Sequence, residues 1–112
     1  MASTLCAVLV AGACSVNEAT SNVGTLDAPA VRACRTVRAV IQARAAGGIA
    51  AGELRAQLAA AYEDAQASAN PVLRARAVAL FADATEIASG GEGHSISTDL
   101  AAMDRTCSGS GE

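Results

Sequence analysis

Tryptophan and lysine are absent from this chain, and phenylalanine and tyrosine occur once each. Aromatic side chains normally supply the largest blocks of buried area. A core here must therefore be built from Leu, Val, Ile and Ala, on helices that approach closely. Such a core is thin, and a covalent cross-link matters more in it than in an aromatic-rich domain. Without lysine, all positive charge rests on arginine, and the net charge is −3. A mildly acidic domain lacks the basic footprint of nucleic-acid binders, so no nucleic-acid partner is expected. It has no general attraction for an anionic lipid surface either.

Signs of catalysis and metal binding are also scarce. The one histidine, His94, sits in a Gly-rich stretch, and with Glu92 it offers two ligands where a zinc site wants several. Glu63 and Asp64 are adjacent on a helical pattern and point about 100° apart, which suits a solvated face better than an acid/base pair. Nucleophile elbows and phosphate-binding loops are missing, and Gly90-Gly91-Glu92-Gly93 is followed by His94 rather than Lys. Arg32, Arg35, Arg38 and Arg44 drift around their helix and read as ordinary charged surface. Tyr62 and Met103 lie on apolar stripes and read as core rather than a haem pocket. No enzyme activity, catalytic residue, cofactor or metal is expected.

The 112 residues are 52% hydrophobic, too apolar for a disordered tail and enough for one domain. About a quarter of them are alanine, the best helix former. Leu5 to Ala13 is an apolar run broken only by Gly12. It is too short to span a bilayer, which takes about 20 helical residues, and it fits the apolar region of a signal peptide. The run ends in Ala11-Gly12-Ala13-Cys14. Ala11-x-Ala13 suits ordinary secretory cleavage. The four residues together are similar to a bacterial lipobox, in which Cys14 is lipidated and becomes the first mature residue. Residues 1–4 carry no basic residue, and a lipobox usually has Leu where Ala11 stands. The alternative is the frayed start of a cytosolic chain.

Residues 14–26 are polar, small and aperiodic, the composition of a tether. Four amphipathic patterns follow over 27–107. In the first, Asp27 is a good N-cap and Pro29 falls in the first turn. Val31, Cys34, Val37, Ile41 and Ala45 mark one face, and Gly47-Gly48 ends the helix. A second helix runs from about Ala51 to Ala67, with Leu54, Leu58, Ala61, Tyr62 and Ala65 inward. Asn70-Pro71 starts a third, which carries Leu73, Ala77, Leu80, Phe81, Ala84, Ile87 and Ala88 and stops at Gly90-Gly91. A fourth begins near Ser95 or Ser97, both capable caps, with Ile96, Leu100, Met103 and Cys107 on one stripe. Residues 108–112 form a polar tail. Short connections between such helices predict an all-α, up-and-down four-helix bundle.

Cysteines stand at 6, 14, 34 and 107. Cleavage before Cys14 removes Cys6, and lipidation uses Cys14, which leaves Cys34 and Cys107 as a pair suited to an oxidising compartment. Secretion without a lipid leaves Cys14 over, and in a cytosolic chain all four are free thiols. Both members of the pair lie on apolar stripes in the first and last helices, which a bundle can set side by side. The expected disulfide is structural, since redox pairs usually form C-x-x-C at a helix N-terminus.

The Cys14 processing site, the polar tether and Cys34 early in the first helix come in a familiar order. They are followed by Gly48-Ile49 before Glu53-Leu54-Arg55, then Ala61-Tyr62-Glu63, Asn70-Pro71 and Met103-Asp104-x-x-Cys107. Over about residues 14–107 this order resembles small alanine-rich lipoproteins and secreted proteins of actinobacterial cell envelopes. The resemblance implies an exported helical domain and carries no activity over. The sequence thus leads to a non-enzymatic bundle, lipid-anchored at the cell membrane or extracellular, that binds an envelope protein. The alternatives are a carrier of a small apolar ligand in the bundle core and a cytosolic structural helical protein.

Overall fold

Asp27 stands in extended backbone (ψ 178°) and its carboxylate accepts the N–H of Ala30 at 3.2 Å, opening the first helix. The computed structural model describes residues 26–109, and in them four helices follow one another: α1 Ala28–Ala45, α2 Ala51–Gln66, α3 Pro71–Ala88 and α4 Ile96–Cys107. The signal-like segment 1–13, Cys14 and most of the tether lie outside the described residues.

The helix ends follow local chemistry. After α1, Gly47 and Gly48 both take positive φ (146° and 114°), which an L side chain rarely adopts. Asn70 caps α3, its Oδ1 accepting the Leu73 N–H at 3.0 Å, and Pro71 takes the first helical position, where its missing N–H costs nothing. The start of α4 departs from expectation. Ser95 precedes it, but in a helical conformation with no side-chain cap bond, and Ser97 lies inside the helix. The backbone turns in by itself, Ile96 N–H donating to Gly93 O at 3.1 Å.

Each helix packs on its neighbours in the chain, and α1 also packs on α4, closing an up-and-down four-helix bundle. The largest fully buried side chains are Leu58, Leu73, Leu80, Met103, Val37, Val40 and Thr106. The Thr106 hydroxyl is satisfied by Ala102 O at 3.2 Å. The stripe on α1 differs from the one the sequence suggested. Its buried residues are Ala30, Ala33, Val37 and Val40, while Val31 is 40% exposed. The inner face is thus rotated by about one position, so that Ala30 and Ala33 lie at its centre, Cys34 at its edge and Val31 outside it. Small residues there allow the close approach that a core without aromatics needs.

Cys34 and Cys107 are half-buried at the edges of their stripes and are joined by a disulfide, with Cα atoms 5.7 Å apart. The bond ties the second turn of α1 to the last residue of α4. At the same end of the bundle the Asp27 carboxylate accepts Ser68 Oγ at 2.7 Å and Ala69 N–H at 2.8 Å. Ser68 Oγ in turn accepts the Asn70 N–H at 3.0 Å, and Arg74 Nη1 donates to Ser68 O at 2.9 Å. Ser68 and Asn70 are buried, so these bonds are what make their burial tolerable. One end of the bundle is therefore fastened by a covalent bond and a polar hub.

Candidate binding groove

The opposite end is open. α1 is 18 residues long, which puts its last turn about 27 Å from Asp27. There the end of α1, the Gly48-Ile49 connection, the start of α2, the end of α3 and α4 from Ser97 to Asp104 line an open groove of about 720 Å³. Buried Leu54 and Leu100 form its floor, and half-buried Ile41, Ile49 and Ile87 form its walls. Its size is within the range of small-molecule sites, about 300–1,000 Å³, and an aliphatic lining is usual for them. The groove opens to solvent.

The rim is polar. Arg44 Nη1 and Nη2 both approach Ser97 Oγ at 3.4 Å, a long and weak contact. Asp104 lies on the same rim, with its carboxylate taken by Arg38 Nη2 at 3.1 Å. Glycine shapes one wall. Gly93 is buried with φ +60°, and a Cβ placed there would overlap the side chain of Ile87. The α3–α4 connection can fold down onto Ile87 only because this position has no side chain.

Other residues singled out in the sequence are dispersed. Arg32 Nε pairs with Asp64 at 3.3 Å, so the arginine row of α1 is divided among α2, α4 and solvent and forms no common patch. Glu63 stays exposed and does not converge with Asp64. His94 Nε2 meets Glu92 at 3.1 Å in an exposed loop, and among the described residues no cluster of three or more His, Cys, Asp or Glu side chains could hold a metal. Met103 is fully buried, and half-buried Tyr62 packs against the core while stacking on Phe81 with ring centroids 5.3 Å apart. No described helix is long and apolar enough to cross a membrane.

One pairing was not visible in the sequence. Asp83 on α3 and Asp99 on α4 come close across the helix interface, and Asp83 Oδ2 is buried without a hydrogen-bond partner. Desolvation first, then the neighbouring Asp99 carboxyl, then the charge of Glu86, push the Asp83 carboxyl up to about 7. No spacing along the chain signals it, because it arises only when the two helices pack.

No known family model matches this chain, and neither a curated protein nor a solved structure of significant similarity was found.

Proposed function

We propose that this chain is an exported, non-enzymatic carrier domain that takes an apolar group into the groove at the open end of its bundle. The observation that carries the reading is the groove itself. Five Ile and Leu side chains from all four helices and one connection converge there on about 720 Å³. Each methylene removed from water by such a wall contributes about 0.8 kcal/mol. Placement outside the cytoplasm is supported by the Cys34–Cys107 bond, since such bonds persist in oxidising compartments. It is supported also by the apolar run before Cys14, which would leave the domain secreted or lipid-anchored at the membrane.

A second reading is favoured by a different surface. Tyr62 and Phe81 stack on the α2–α3 face, Arg55 Cζ lies 5.4 Å from the Phe81 ring centre, and Val78 is 52% exposed one turn away. Tyr, Arg and Phe are enriched where proteins bind one another, so this face suits an envelope protein partner.

Titration of the full chain with Nile red, a neutral apolar dye, tests the first reading. Fluorescence should rise with saturable binding, and Ile49→Ser should weaken it while Val78→Asp leaves it unchanged. A dye that does not bind, or binds equally to Ile49→Ser, would overturn the carrier reading.

A further inference from the structure

Resting on the carrier reading, we infer that the groove takes a single-chain fatty acid, its alkyl chain against the Ile and Leu walls and its carboxylate on Arg44. Arg44 borders the groove, and among the described residues its guanidinium makes no polar contact beyond the two 3.4 Å approaches to Ser97 Oγ. The rim's one carboxylate, Asp104, does not neutralise it, because that group is engaged by Arg38 at 3.1 Å. Arg38 and Asp104 cancel, and Arg44 leaves the rim with one positive charge. A cation at the mouth of an aliphatic groove selects a molecule that is apolar along its length and anionic at one end. The guanidinium presents a fork of N–H donors, a geometry that matches a carboxylate.

The start of α4 adds to the same field. It opens beside Ser97 without a side-chain cap, so its first N–H groups lend a partial positive charge. Asp99, the acid of its first turn, is turned towards Asp83 on α3. The walls set the other half of the specificity. They are aliphatic throughout, whereas the two aromatic side chains lie on the α2–α3 face. A flexible alkyl chain therefore fits better than a flat ring, which would find nothing to stack on.

Calorimetric titration of the full, oxidised chain with dodecanoate, dodecanol and dodecyltrimethylammonium, each below its aggregation limit, tests the inference. Dodecanoate should bind about 10-fold more tightly than dodecanol, the effect of one charge-assisted hydrogen bond. Dodecyltrimethylammonium should bind most weakly. Arg44→Gln should bring dodecanoate and dodecanol to within about 2-fold of each other while dodecanol affinity stays unchanged. Arg44→Glu should reverse the order of the two charged probes. Ile49→Ser should weaken all three. Equal affinities in the unaltered chain, or a dodecanoate preference that survives Arg44→Gln, would overturn the inference yet leave the carrier reading intact. If none of the three binds, both fall. A concentration-dependent dimer in sedimentation that Ile49→Ser disperses would assign the groove to a second copy of the chain, and would overturn the inference too.

Discussion

Asp27 and Ser68 are separated by 41 positions in the chain, yet Ser68 Oγ donates to the Asp27 carboxylate at 2.7 Å. The same carboxylate caps α1 through Ala30 and accepts the Ala69 N–H, so one side chain starts a helix and fastens the α2–α3 connection to it. Asp27→Ala removes all three bonds and leaves buried Ser68 without its acceptor. The expected loss is about 1–3 kcal/mol, the range for a lost cap or an unsatisfied buried hydroxyl. Urea unfolding at pH 7 checks it, and a loss below about 0.5 kcal/mol, typical of an ordinary surface position, would contradict the hub.

Two carboxyl groups should give the stability curve a maximum on the acid side of neutrality. The Ala69 N–H first, then the Ser68 hydroxyl, hold the Asp27 carboxyl below its usual range. Its contribution is present above about pH 4 and is lost as pH falls further. Asp83 acts in the opposite sense. With its carboxyl raised to about 7, the folded chain retains a proton that the unfolded chain gives up near pH 4. Stability should therefore decline as pH rises from about 4 to about 7 and then level off. Urea midpoints should be higher at pH 5 than at pH 8. Asp83→Asn should flatten that difference and raise stability at pH 8 by about 1 kcal/mol, allowing for solvent screening at a half-buried site.

How much of this was legible in the sequence depended on whether the signal was local. Asn70-Pro71 marked the start of α3 because a cap and a first-turn proline act within a few residues. Cys34 and Cys107 were legible as a pair because little else competed for them. The face of α1 was misjudged: in a helix with many alanines, Val31 looked like core, but α2 and α4 chose Ala30 and Ala33. Ser95 looked like a cap because serine often is one, yet the backbone turn at Gly93 made it unnecessary. The groove itself has no signature in the sequence. Its floor and walls come from Ile41, Ile49, Leu54, Ile87 and Leu100, which stand far apart in the chain, on four helices and one connection, and meet only on folding.

The disulfide closes a loop spanning 73 residues, worth roughly 4 kcal/mol in the chain-entropy account. Cys34→Ala and Cys107→Ala should each cost about 2–5 kcal/mol. The double variant should be no worse than either single one, because both remove the same bond. A urea midpoint unmoved by reducing agent would contradict the staple.

Export makes a prediction of its own. Chain recovered from its native host should begin at Cys14 and carry the added mass of a diacylglycerol. Intact-mass spectrometry decides it: a chain still beginning at Met1 or Ala2 would refute export, and an unlipidated start at Cys14 would refute the anchor alone.

The open end of the bundle is the binding site proposed for this protein. Backbone and methyl NMR spectra of the oxidised chain, recorded through a titration with dodecanoate, test it most directly. Saturable shifts are expected at Ile41, Arg44, Ile49, Ile87 and Leu100, with Tyr62, Val78 and Phe81 unmoved. Shifts centred on Tyr62 and Phe81, or spread evenly along the helices, would contradict it.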